Sequence, residues 1–242
     1  METAIVCAKR GHKVTLYEKS SQLGGVFVAA AAPSFKEKDR QLLAWYQREI
    51  QKYPIQVHLN AEIHDLASLK ADEIVIATGA KAKKLPIPGA EHGIEAVDFL
   101  LKKKSVGQNV VIIGGGLTGC EIAYELYLQK KTPIIVEMQD DLICGAGICL
   151  ANSSYLRDFF AANQVNVHLN TQVQKIEKDG VLVKDQQNNT FKISADSVIV
   201  SVGYTSAPLA NKGRHIHIVG DAKKVGNLRT VIWEAWNIAM KL

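Results

Sequence analysis

Missing from this chain of 242 residues is any apolar stretch of the roughly 18 residues that a membrane helix needs, since charges or turn residues interrupt every run. The N-terminus has no basic segment leading into a continuous apolar one, so no signal peptide is expected. Cysteine is sparse: the four residues show neither metal-ligand nor C-x-x-C spacing, which fits a reducing cytosol and a cytoplasmic protein. Aromatics make up only 7% and do not interleave with the lysine runs at 81–84, 102–104 and 130–131. The net charge of +5 therefore reads as solvated turns, and no nucleic-acid or membrane partner is expected. No Ser-His-Asp set and no paired-carboxylate pattern can be argued for. His58 and His168 read as structural, and neither a catalytic side chain nor a metal site is assigned.

What is present is ordinary globular material, 47% hydrophobic and 22% charged, in a length sufficient for two domains. Its opening, "METAIVCAKRGHKVTLYEK", places Ala4, Ile5 and Ala8 at helical spacing, passes through Gly11 into a strand at Val14–Tyr17, and stops on Glu18. That is the second half of a dinucleotide-binding βαβ unit. A whole unit stands in "NVVIIGGGLTGCEIAYELYLQKKTPIIVEMQDDL": strand 109–113, Gly114, Gly116 and Gly119 in G-x-G-x-x-G order, a helix from about Thr118, strand 133–136 and Glu137. Aligning Glu18 with Glu137 sets an offset of 119 residues and lays Met1 on Cys120, one residue past the third glycine. A first strand and a first phosphate loop are accordingly expected to be absent from the first copy.

The duplication runs further. "VHLNAEI" (57–63) recurs as "VHLNTQV" (167–173), and "ADEIVIATGA" (71–80) as "ADSVIVSVGY" (195–204). The expected fold is α/β, with two Rossmann-like, three-layer dinucleotide-binding domains, the second inserted in the first. The first domain takes residues 1–103 and 206–242 and the second takes 104–205. Within the first, 34–53 reads as an amphipathic helix with Leu42, Leu43, Tyr46 and Ile50 on one face, and 73–80 as a buried strand ending at a glycine turn. "KKLPIPGAEH" is the linker, its prolines resisting helix. The end of the chain reads as strand, Gly-Asp turn and helix, with Trp233, Trp236 and Met240 expected as a core stripe.

A phosphate loop needs glycine because the backbone must turn tightly and approach the pyrophosphate, while N–H groups at the helix start face the anion. Gly114, Gly116 and Gly119, with Leu117 and Thr118 between them, meet that need. Glu137 is placed to accept hydrogen bonds from both hydroxyls of an adenosine ribose and to repel a 2′-phosphate, which favours NAD(H) over NADP(H). Glu18, followed by Lys19, holds the equivalent place in the first copy. Glu121, in the first turn of the second helix, either complements the helix dipole or contacts a bound nicotinamide.

Taken together, "LYEKSSQLGGVF", "IVIATGA", "VVIIGGGLTGCEIA", "VIVSVGY" and "HIVGDAKKVGNLRTVIWEAW" resemble the C-terminal flavin and nicotinamide domains of the 2-enoate reductase and 2,4-dienoyl-CoA reductase family. The match spans essentially the whole chain. The resemblance implies FAD across the first domain, with Glu18 at its ribose, Gly24 and Gly25 beside it, Thr78 and Gly79 on its adenosine and phosphate side, and Asp221, after Gly220, on the ribityl chain. Arg229 and Thr230 would open a helix aimed at the flavin, and Gly203 completes the set within its motif. Hydride would pass from nicotinamide to flavin. In flavin disulfide reductases a C-x-x-x-x-C pair sits near the first glycine unit; here Cys144 and Cys149 follow the second nucleotide strand, so free thiols are expected.

Members of that family also carry an N-terminal TIM barrel with FMN and an iron-sulfur cluster, for which no counterpart is visible here. The chain therefore resembles an electron-input module that holds FAD weakly or not at all, is inactive alone toward enoates, and is prone to self-association through open strand edges. The competing reading is an ADP- or NAD-binding module without redox activity. A thioredoxin reductase-like enzyme is disfavoured by the missing C-x-x-C.

Overall fold

The computed structural model describes residues 1–145 and 147–242. In chain order its main elements are α1 (Glu2–Lys9), β1 (Val14–Tyr17), α2 (Val26–Ala30), α3 (Glu37–Glu49), β2 (Ile55–His58), β3 (Ile74–Ile76), β4 (Ala80–Ala82), β5 (Ile94–Glu95), α4 (Ala96–Leu100), β6 (Asn109–Ile113), α5 (Leu117–Leu128), β7 (Thr132–Val136), α6 (Leu150–Ala162), β8 (Asn166–His168), β9 (Gln172–Glu177), β10 (Gly180–Lys184), β11 (Thr190–Ser194), β12 (Ser197–Val200), β13 (Tyr204–Ser206), β14 (Ile216–Ile218) and α7 (Leu228–Ala239). The chain is α/β and divides into two compact units. Unit 1 comprises Met1–Ala31, Glu37–Lys81 and Tyr204–Leu242, and unit 2 comprises Ala32–Lys36 and Ala82–Gly203.

Unit 2 is built on a five-stranded sheet in the order β5-β12-β6-β7-β8, every pair parallel. Its central strand β6 is a continuous apolar run, as a parallel strand covered on both faces must be, and Val110, Val111 and Ile112 are fully buried. Each such side chain contributes about 1.5 to 3 kcal/mol of burial. Helix α5 lays Cys120, Ile122, Ala123 and Leu126 against the sheet. An antiparallel sheet, β11-β10-β9, packs Val173, Ile176, Val181, Val183 and Ile193 with Val111, Ile113, Ile134, Val136 and Val198 of the parallel sheet.

Unit 1 carries two separate parallel ladders, β1–β2 and β3–β14. The strand at Val14–Tyr17 lies where its pattern places it. Helix α3 starts at Glu37, three residues later than the amphipathic pattern, and buries Leu43 and Tyr46, with Tyr46 and the following Ile50 packed against Ala4 and Ile5 of α1.

Three expectations are corrected. Trp233, Trp236 and Met240 are exposed by 64%, 46% and 43%, not core. The face of α7 that packs inward carries Ala235 and Ala239, small residues that let α1 approach closely enough for Thr3 Oγ1 to donate to the Ala235 carbonyl at 3.3 Å. Within 73–80 the first strand covers only Ile74–Ile76, with Ile76 alone buried, because among the described residues β3 pairs with β14 alone. The repeats also diverge after His58 and His168: the second copy continues into β9 and β10, whereas the first has a single short turn at Leu66–Ser68, its intervening chain being too short for a hairpin sheet. Among the described residues no helix is long and apolar enough to cross a membrane.

Candidate nucleotide site

The glycine turn of unit 2 joins β6 to α5, and each glycine has a different reason to be there. Gly114 has φ of +107°, and a Cβ on it would stand 2.3 Å from the Ser201 carbonyl oxygen. A Cβ on Gly119 would stand 2.0 Å from the Gly114 carbonyl oxygen, so strand and helix approach as closely as backbones can. Gly116 differs: a Cβ there would meet nothing within 4 Å, and its φ of −68° suits any residue. Gly116 is also the N-cap of α5, and no side chain caps that end. Helix starts leave N–H groups without intrahelical acceptors, so Leu117, Thr118 and Gly119 carry such donors and the positive end of the dipole at the turn, beside the exposed Gly116.

Glu137 closes the turn from the side. It follows β7, is buried, and accepts from the Gly115 N–H at 2.5 Å through Oε2 and from the Gln139 N–H at 2.8 Å through Oε1. Ile143 N–H donates to the Gly115 carbonyl at 2.8 Å, tying the loop after Glu137 to the glycine turn, and Arg157 holds that loop through Asp141 Oδ1 at 3.0 Å and through the Leu142 carbonyl. Cys120, within the same helix turn, has its thiol pushed up to about 12, first by burial and then by the Glu137 charge, which makes it inert. Gly203 follows two residues after Ser201, and its φ is +90°.

Glu121 meets Lys36 in a 2.5 Å ion pair that is four-fifths or more buried on both sides. Next to it, Glu125 Oε2 accepts from both the Ser34 N–H at 2.8 Å and the Ser34 hydroxyl at 2.7 Å, and Phe35 packs edge-on against Tyr124. Lys36 has no signal in the sequence, because its partner lies 85 residues away.

In unit 1 the candidate residues stand after the C-terminal ends of parallel strands, the side on which ligands bind in open α/β sheets. Glu18 follows β1, and its Oε1 accepts from the Ser20 N–H and hydroxyl, each at 2.8 Å; Lys19 beside it is exposed. Gly24 and Gly25 have φ of +133° and +54° and lead into α2. Thr78 and Gly79 follow β3 and bond to Ala207: the Thr78 hydroxyl donates to its carbonyl at 2.9 Å, and its N–H donates to the Gly79 carbonyl at 3.1 Å. Gly220 and Asp221 follow β14, with Asp221 accepting from the Gly226 N–H at 3.0 Å. Arg229 lies over the Trp233 ring at 5.6 Å, while the Thr230 hydroxyl is engaged in a capping box with Asn227 at the start of α7. The structure thus unites the turn and Glu137 of unit 2 in one bonded set, and leaves the unit 1 residues in separate local sets.

Elsewhere, His58 stacks on Tyr17 at 5.0 Å, and His168 lies beside Phe191 with its pKa lowered by burial. Cys144 and Cys149 are exposed free thiols. Among the described residues no cluster of three or more His, Cys, Asp or Glu could hold a metal.

Residues 1–222 match a family model described as pyridine nucleotide-disulphide oxidoreductase. The chain is 38% identical to a cinnamate reductase of Clostridium sporogenes over all of its own length and 37% of that protein's. It is 29% identical to an NADH oxidase of Thermoanaerobacter brockii, covering 39% of that one. Among solved structures, a 2-naphthoyl-CoA reductase superposes on the whole chain with a TM-score of 0.89 at 27% identity, again over 38% of the longer chain. A thioredoxin reductase of T. acidophilum, 18% identical, shares the fold with a TM-score of 0.79. The chain spans less than two-fifths of the length of these two curated relatives.

Proposed function

The chain belongs to the pyridine nucleotide-disulphide oxidoreductase family, and from that premise we propose that it is the NADH-to-FAD electron-input module of an enoate reductase-like flavoprotein. The observation that carries the reading is the bonded set of the glycine turn, the uncapped start of α5 and the buried Glu137 carboxylate, which together fit a dinucleotide. In this reading residues 104–205 form the NAD(H) domain, and 1–103 with 206–242 the FAD domain.

When bound, the nicotinamide and flavin supply the hydride chemistry. The protein binds and orients them. Gly116, Leu117, Thr118 and Gly119 receive the NADH pyrophosphate on backbone N–H groups, with Gly114 shaping the tight turn beneath them and the open face of Gly116 giving the pyrophosphate room. Glu137 receives the adenosine ribose hydroxyls, and its charge repels a 2′-phosphate. Glu121, held by Lys36, and Gly203 flank the nicotinamide end. Glu18, Lys19, Gly24, Gly25, Thr78, Gly79, Gly220, Asp221, Arg229 and Thr230 receive FAD. Action on enoates belongs to the TIM barrel, FMN and iron-sulfur cluster that the resemblance implies. The non-redox reading, an ADP- or NAD-binding module, draws on the glycine turn and Glu137 of unit 2 alone.

Anaerobic mixing with NADH in excess FAD separates the two. Loss of the visible flavin absorption faster than in a protein-free control is expected. NADH binding without such an acceleration would leave only the non-redox reading.

A further inference from the structure

The loop that follows Glu137 carries a second charged pair close to the glycine turn. Arg157, on α6, donates from Nε to Asp141 Oδ1 at 3.0 Å, and its terminal nitrogen stands 2.9 Å from Asp141 Oδ2, so the carboxylate is gripped on both oxygens. The same nitrogen donates to the Leu142 carbonyl. Asp141 Oδ1 also accepts from the Leu142 N–H at 2.7 Å. Arg157 holds the Asp141 carboxyl below its ordinary pKa, which keeps it ionised at neutral pH.

This pair lies close to the Glu137 side chain. A Cβ on Gly115 would stand 2.5 Å from Leu142 Cδ2 and 3.0 Å from Glu137 Cβ, so the two side chains meet over one glycine. The Ile143 N–H, bonded to the Gly115 carbonyl at 2.8 Å, holds the loop there. The Cys120 thiol, shifted first by burial, then feels Glu137, Arg157, Glu121 and Asp141, which puts these charges in one neighbourhood. Arg157 is thus a cation set beside the proposed ribose position, and Asp141 covers it. The cover is not sealed: the side chains of Arg157 and Asp141 are 31% and 52% exposed, so a ligand can reach both.

We propose that Asp141 is a second determinant of dinucleotide choice beside Glu137: it occupies the Arg157 guanidinium and so withholds that cation from a 2′-phosphate. A guanidinium presents a planar fork that fits phosphate as well as carboxylate, and the same donors would serve a 2′-phosphate if Asp141 released them. With the pair intact, a 2′-phosphate meets the charge of Glu137 and a cation already neutralised. A 2′-hydroxyl has no charge for the pair to answer. The inference rests on the dinucleotide reading, since it assigns to Asp141 only a preference between two forms of the same ligand.

The test is calorimetric titration of the 242-residue protein and its variants with NADH and NADPH, which differ by the 2′-phosphate alone. Asp141→Asn keeps an acceptor oxygen for Leu142 and Arg157 and removes the charge. The NADPH-to-NADH affinity ratio is expected to rise about tenfold, the effect of one charged hydrogen bond. With Arg157→Gln added, the rise should fall below about twofold, because the gain needs the released guanidinium. An unchanged ratio in Asp141→Asn would overturn the proposal, as would an equal rise in the double variant, which would reduce Asp141 to simple repulsion. Should the Asn variant unfold at the titration temperature, Asp141→Ser takes its place under the same two criteria. No NADH binding by the unmutated protein would overturn the dinucleotide reading and this inference with it, whereas an unchanged ratio with NADH bound overturns this inference alone.

Discussion

The Glu137 carboxylate receives the Gly115 N–H at 2.5 Å, so the acid at the end of β7 and the turn at the end of β6 form one rigid unit before any ligand arrives. A charge-assisted bond of this kind, inside a buried setting, is among the stronger hydrogen bonds a protein makes. It fixes the distance between the proposed places for a pyrophosphate and a ribose.

Glu137→Gln keeps the size of the side chain and removes the charge. NADH affinity is expected to fall about tenfold, the loss of one charged hydrogen bond, while NADPH affinity holds or rises. Titration calorimetry with both nucleotides reads this, and an unchanged NADH-to-NADPH ratio would count against the ribose role.

The glycines separate folding from binding. Gly116→Ala has open space and an ordinary φ, so thermal stability should stay within about 0.5 kcal/mol of the parent while NADH binding weakens. Gly119→Ala must push α5 away from β6 and is expected to lower stability and binding together. Thermal unfolding alongside calorimetry distinguishes the two; equal behaviour of both variants would contradict the close-approach assignment.

Removing Lys36 takes its cation away from a largely buried carboxylate. Lys36→Met should destabilise the protein by about 1 to 3 kcal/mol, and adding Glu121→Gln should recover much of the loss. Urea unfolding of the single and double variants measures the coupling, and additive effects would show that the pair is not coupled.

Glu73 bridges His215 Nδ1 at 2.9 Å and His217 Nε2 at 2.8 Å. These bonds, that of His215 first, hold its pKa below the ordinary value near 4.5. A carboxylate depressed by folding stabilises above its unfolded value, and the contribution disappears as pH falls through the folded one. Melting temperature should therefore fall more steeply in the parent than in Glu73→Gln as pH drops below about 4.5. Parallel curves would contradict the bridge.

Much of the site was legible because glycine spacing and a strand-end acid are local signals. The turn at Gly114–Gly119 and Glu137 could be read from one continuous stretch, and the offset to Glu18 located β1 to the residue. Lys36 was not legible, since pairing across 85 residues leaves no local pattern. The α7 stripe misled because helical spacing of apolar residues says that a face exists, not which way it turns. There the inward face belongs to Ala235 and Ala239, whose small size admits α1. The hairpin sheet of unit 2 has no counterpart after His58, although "VHLN" is common to both copies, because the following lengths of chain differ.

Hydrogen exchange of the whole chain with and without saturating NADH tests the central claim most directly. The account predicts slowing concentrated at Gly114–Glu121 and Glu137–Gln139, with little change in the sheet β9–β11. Tight NADH binding that leaves those residues unslowed, or that protects another region instead, would contradict it.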